Sequence, residues 1–171
     1  MTEAAPTLVV GLGNPLMADD GIGIAALERL RERWAAPAGV ELVDGGTWGL
    51  FLLPRIEDAS RVILIDAIDA GEEPGTVVVL EGDEIHPALR GGALSPHQIG
   101  VRDLVGLATF RGTLPEETVA IGIQPNDVGL STGLSPAAEA ALDTLLERVL
   151  DRLEAWGFPR EIPAETTPCT R

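Results

Sequence analysis

The run Leu8-Val9-Val10-Gly11-Leu12-Gly13-Asn14-Pro15-Leu16-Met17-Ala18-Asp19-Asp20-Gly21-Ile22-Gly23 constrains this chain more than any other. It reads as a buried strand entering a glycine-punctuated loop that delivers two adjacent carboxylates to the start of a helix. In an open α/β sheet such a loop stands at the carboxyl edge of the strands, where ligands bind. The dinucleotide fingerprint does not fit, because its third glycine is missing and acids follow where a phosphate would need bare amides.

The rest of the chain repeats that alternation. Residues 7–10 read as the first strand and 22–34 as an amphipathic helix, with Ile24, Leu27, Leu30 and Trp34 supplying much of its apolar side. A second strand over 40–43 ends at Asp44-Gly45-Gly46, and a short helical segment covers about 50–57. A largely apolar strand over 61–65 ends at Asp66. Apolar runs alternating with helices predict a mostly parallel sheet covered on both faces. The connection from Asp66 to Thr76 is too short for a crossover helix, so the strand over 76–80 is expected to run antiparallel to its predecessor. The segment 81–94 then returns, Ser95-Pro96-His97-Gln98 opens a helix reaching about Phe110, and 118–123 forms the last parallel strand. Ser135 caps a helix with Pro136 in its first position, running to about Trp156 and stopped by Gly157. The expected fold is a three-layer α/β domain over residues 1–157, with a five-stranded sheet, mostly parallel with one antiparallel strand, and helices on both faces. Residues 158–171 read as a disordered tail.

Charge narrows the function. With a formal net charge of −15, the chain is poorly suited to a nucleic-acid backbone, which is bound by Lys and Arg. No apolar run is long enough for a membrane span, and the first residues lack a signal-peptide pattern, so a cytoplasmic, monomeric protein with no membrane partner is expected. Cys169, the single cysteine, excludes an internal disulfide or a Cys-based zinc site.

Asp19 and Asp20 have a local explanation, since one of them can cap the following helix. The other needs a cation or water to offset its neighbour's charge. Asp66 and Asp44 end adjacent strands at the same edge and could equally be turn residues. His97 falls in the first turn of a helix opened by a capping box, where the helix dipole disfavours imidazolium and so favours the neutral, metal-ligating form. A surface histidine beside a cap is the plainer alternative. His86 reads as a loop residue. Asp20, Asp66 and His97 together make an oxygen and nitrogen set suited to zinc, nickel, manganese or iron.

In order along the chain, Leu12-Gly13-Asn14, Ala18-Asp19-Asp20-Gly21-Ile22-Gly23, Asp44-Gly45-Gly46-Thr47, Ile65-Asp66-Ala67, Ser95-Pro96-His97-Gln98 and Gly122-Ile123-Gln124-Pro125 resemble the motifs of the nickel-iron hydrogenase maturation endopeptidases. The resemblance implies an enzyme that removes a C-terminal peptide from the hydrogenase large-subunit precursor after nickel insertion. It implies metal-binding and catalytic roles for Asp20, Asp66 and His97, and substrate contacts for Asp44, Gly45, Gly46 and Thr47. The nickel is expected to arrive with the substrate, because three ligands near solvent and no thiolate make a weak resident site. Two other readings stand beside this one. The opening Val10-Gly11-Leu12-Gly13-Asn14-Pro15 also resembles peptidyl-tRNA hydrolases, but the chain has no tyrosine and no Arg-His-Asn segment, and it is acidic. A non-catalytic nickel-binding chaperone would use the same three ligands.

Overall fold

The computed structural model describes residues 5–85 and 101–160. Its strands are β1 (Thr7–Leu12), β2 (Val40–Gly46), β3 (Arg61–Ala67), β4 (Val77–Glu81) and β5 (Glu117–Ile123), in spatial order β2-β1-β3-β5-β4. Neighbours from β2 to β5 are parallel, and β4 is antiparallel to β5. The expected antiparallel strand therefore exists, and its hydrogen-bonding partner is the later β5.

The side-chain period of two distributes the apolar runs between two cores. Val9, Ile63, Ile65, Val119, Ile121 and Ile123 face one side, which α1 (Ile22–Arg33) and α4 (Pro136–Ala155) cover with residues such as Leu27, Leu30, Leu142, Leu145 and Val149. Leu8, Val10, Leu12, Val62, Leu64 and Ala120 face the other, beneath α2 (Leu53–Glu57) and α3 (Val101–Arg111). Strands apolar on both faces thus require the helical layers that the sequence supplies on each side. Among the described residues, no helix is long and apolar enough to cross a membrane.

Two local expectations change. The second strand runs on through Asp44 and Gly45 to Gly46, because Gly11 and Leu12 of β1 pair with Asp44 and Gly46 across a register shift. The presumed tail does not begin at Phe158. Gly157, at φ +92°, ends α4 in a Schellman arrangement, with Phe158 N donating to Leu153 O at 3.0 Å and Gly157 N to Glu154 O at 2.9 Å. Phe158 packs on the α1/α4 core, Trp34 Nε1 donates to Pro159 O at 3.3 Å, and Arg160 pairs with Glu147 and Glu154 of α4. Residues 161–171, with Cys169, lie outside the described residues.

At its start α4 is capped as expected, by Ser135 Oγ accepting from Ala138 N at 3.3 Å, with Pro136 next. At its end Trp156 O accepts from Arg61 Nη1 at 3.1 Å. Since Arg61 begins β3, α4 starts at the carboxyl edge of the sheet and finishes at the opposite one.

Candidate active site

Three chain segments build the carboxyl edge around Asp19 and Asp20. After β1, residues 13–17 lead into a 3-10 turn, Ala18–Gly21, from which α1 continues. Gly13 holds φ +107°, and a Cβ there would lie 1.7 Å from Asp20 O. A Cβ on Gly23 would meet Leu12 O at 2.3 Å and Ile65 O at 2.4 Å. These glycines let the turn and the first residues of α1 lie directly on the ends of β1 and β3, which explains the motif without a phosphate. Asn14 N, one amide such a ligand would need, donates instead to Asp20 Oδ2 at 2.7 Å.

The helix-cap expectation for the acid pair is overturned. The N-cap of α1 is Gly21, which has no side chain to offer, and neither aspartate caps the helix. Asp19 is fully buried and reaches across the fold. Its Oδ1 accepts from Ser135 N at 2.7 Å, and its Oδ2 from Ser135 Oγ and Asn126 N at 2.8 Å and from Asp127 N at 3.2 Å. Burial by itself would raise the Asp19 pKa. The hydrogen bonds from Ser135 N, Asn126 N, Ser135 Oγ and Asp127 N outweigh it and hold the carboxyl below its ordinary value of 3.8. The backbone follows the same path: Asp19 N donates to Asp127 O at 3.0 Å and Ala18 N to Ser131 O at 2.9 Å. Ala18, between them, is held at φ +46°, an unusual conformation for a residue with a Cβ. The pair therefore divides: Asp19 fastens the β1 loop to the β5–α4 loop, and Asp20 stands half-buried at the edge.

Asp66 is buried near the end of β3 and accepts from Ala67 N through Oδ1 at 2.8 Å. The chain leaving it is held by Gln124, a buried side chain that sequence reasoning gave no role. Gln124 Oε1 accepts from Ala70 N at 2.8 Å and Glu72 N at 3.1 Å, and its Nε2 donates to Asp69 Oδ1 at 3.1 Å. The available signal was a lone amide closing an otherwise apolar strand ahead of a proline. Asp44 and Thr47 are exposed at the adjoining strand end, with Gly45 buried and Gly46 half-buried between them. Gly13 N donates to Gly46 O at 3.0 Å, joining the β1 and β2 loops.

The fold thus brings Asp20, Asp66 and Asp44 to one edge. His97, His86 and the Ser95 to Gln98 capping box lie outside the described residues, and among those described no three metal-ligating side chains group around one point. A backbone N–H on one oxygen orients a carboxylate for ligation, so Asp20 and Asp66 have the chemistry for a hard or borderline cation. A separate cleft of about 310 Å³, lined by residues including Ile85, Thr109, Pro115 and Thr118, lies at the strand-start edge, away from these acids.

A mostly parallel sheet with acids at its carboxyl edge and a glycine-packed loop in place of a phosphate cradle makes this an open α/β domain whose edge offers carboxylates rather than a nucleotide site. Comparison with known proteins makes the class specific. A family model described as hydrogenase maturation protease matches residues 24–152, a span that takes in Asp44, Asp66 and His97. Hydrogenase expression/formation protein HupD of Rhodobacter capsulatus is 40% identical over 154 residues, covering 88% of this chain and 72% of its own. Hydrogenase 2 maturation protease of Escherichia coli is 37% identical over 158 residues, covering 90% of this chain and 96% of its own. The solved structure of the hydrogenase maturating endopeptidase HybD from E. coli superposes with a TM-score of 0.83 at 33% identity, covering 92% of this chain and 98% of that one. The chain belongs to the hydrogenase maturation protease family, and it is a peptide hydrolase.

Proposed function

We propose that this protein is the endopeptidase that removes the C-terminal extension of a nickel-iron hydrogenase large-subunit precursor once nickel has been inserted. The observation that carries this reading is the placement of Asp20 and Asp66 at one sheet edge, in a chain of this family, with Asp19 spent inside the fold. Asp20, Asp66 and His97 are the groups that would complete the coordination of nickel carried by the substrate, so docking depends on completed metal insertion. Asp44, Gly45, Gly46 and Thr47 would contact the substrate chain beside them. Hydrolysis adds water across the scissile amide: the C–N bond breaks, the hydroxyl goes to the carbonyl carbon and the proton to the leaving amine. The acids anchor the precursor so that this bond is held at the edge of the sheet. The same reading makes the protein a monomer of the cytoplasm without nucleic-acid partners, consistent with its net charge of −15.

The test is cleavage of nickel-loaded and nickel-free precursor by the metal-free enzyme, followed by mass. Cleavage confined to the loaded form supports the proposal. Equal cleavage of both forms would show that nickel is not read, and activity that appears only when zinc is added to the enzyme would show a protease with its own metal. Stable capture of the loaded precursor without cleavage would favour the chaperone reading.

A further inference from the structure

The described residues expose seven large apolar side chains, and their distribution is uneven. Leu16, Trp48, Leu50, Phe51, Val128 and Leu130 all stand on the loops that follow β1, β2 and β5, the loops of the carboxyl edge. Trp48 is 69% exposed, Phe51 84% and Leu130 85%. The seventh, Phe110, lies near the end of α3, beside the start of β5 at the opposite edge.

These loops are laced together. Gly13 N donates to Gly46 O at 3.0 Å, Ala18 N to Ser131 O at 2.9 Å, and Ser131 N to Leu16 O at 3.1 Å. Long stretches of them are also free of charge. Residues 14–18, 46–53 and 128–135 contain no Lys, Arg, Asp or Glu, in a chain of which 23% is charged. Asp127, just before the third segment, turns its Oδ1 back onto Gly129 N at 2.8 Å. Three sides of the edge therefore form a neutral, apolar border around the acids Asp20, Asp44 and Asp66, while the fourth, the β3–β4 loop, carries the exposed acids Asp69, Glu72 and Glu73.

We infer that this border is the docking surface for the protein substrate, and that it seats a folded partner presenting a divalent cation within an apolar collar. The inference rests on the function proposed above. Charge complementarity selects the occupant: central carboxylates match the cation, and the neutral border matches uncharged surface around it. A second copy of this chain, placed two-fold on the same face, would bring its own acids against these without a cation between them. A basic peptide would find counter-charge at the centre and on the β3–β4 loop but none across the three apolar stretches.

The test uses Phe51→Ser and Leu130→Ser, singly and together, with Phe110→Ser as the control at the far edge. Binding of the nickel-loaded precursor is followed by sedimentation velocity, cleavage by kcat and KM, and folding by thermal unfolding. Each rim variant is expected to weaken binding and raise KM about tenfold, with kcat within about twofold and an unfolding midpoint like that of the wild type. Phe110→Ser leaves all of these unchanged. Wild-type KM is expected to change less than about twofold between about 50 and about 500 mM salt, because burial of neutral surface is not screened. If the wild type cleaves and neither rim variant weakens binding, the docking surface is wrong while the peptidase assignment stands. Tight wild-type binding that the rim variants lose, without cleavage by any of them, keeps the surface and removes the peptidase. A wild-type dimer that Phe51→Ser dissolves, with precursor binding unaltered, would assign the border to self-association instead.

Discussion

Replacing Asp19 by alanine removes a fully buried carboxylate on which four donors converge. At about 1.5–3 kcal/mol for each hydrogen bond to a charged group, simple addition gives an excessive loss. Asn126 and Asp127 are exposed residues whose amides can turn to water, whereas Ser135 N and Oγ stand half-buried at the start of α4. Counting only the Ser135 pair gives about 3–6 kcal/mol. For a chain of this size that lowers the unfolding midpoint by roughly 6–24 °C. Asp19→Asn keeps the shape but fails similarly: with the amide oxygen at the Oδ2 position, its NH2 points at Ser135 N–H. A loss of about 2–3 kcal/mol follows. The sign of the pH effect is fixed, because the folded-state pKa lies below the ordinary 3.8. The stability Asp19 supplies is fully present above the unfolded value and is lost as pH falls through the folded one. Differential scanning calorimetry of wild type and Asp19→Asn, from neutral pH to below about pH 4, should show a large gap that narrows with acid. Melting of Asp19→Asn within about 2 °C of wild type at neutral pH would refute the reasoning.

Asp20→Asn, Asp66→Asn and His97→Ala are expected to reduce precursor cleavage by more than about 100-fold with little change in melting, and full activity in any two of them would end the three-ligand proposal. Gly13→Ala sets a Cβ 1.7 Å from Asp20 O at a positive φ, so a loss of about 3 kcal/mol or more is expected in denaturant unfolding, together with lost cleavage. Leu145→Ala opens a cavity under α4 and should cost about 2–5 kcal/mol by the same measurement. Phe158→Ala should cost about 1–2 kcal/mol, and a value near zero would return Phe158 to a free tail.

The architecture was legible because its signals are local. Runs such as Val62 to Ile65 are apolar on both faces, and a strand like that needs helices above and below it. Ser135-Pro136 and Gly157 mark the two ends of α4 in the sequence itself. The errors arose where the partner is distant. An aspartate ahead of Gly-Ile-Gly-Ile looks like a cap because capping rules search three residues on. Asp19 instead finds Asn126 and Ser135, more than 100 residues away. The extension of β2 depends on pairing with β1, which no pattern within Asp44-Gly45-Gly46 reveals. Phe158 looked like tail because it follows the helix-stopping Gly157, and the core it packs against includes residues of α1 far back in the sequence. Of the candidate site, Asp20, Asp44 and Asp66 could be placed at one edge because strand ends in a parallel sheet share it. Gln124 left only the faint signal of an amide at the end of an apolar strand, because its task is to hold neighbouring backbone rather than to do chemistry.

The course of α4 has a practical meaning. The helix crosses the whole thickness of the sheet's span, leaving Ser135 beside Asp19 and bringing Trp156 to Arg61 at the first residue of β3. The chain then folds back through Pro159 onto Trp34, so it departs from the side remote from the acids. A fluorophore or surface anchor fixed at Arg160 itself would therefore sit on the side remote from the acids, leaving the working edge open to a partner as large as a folded protein.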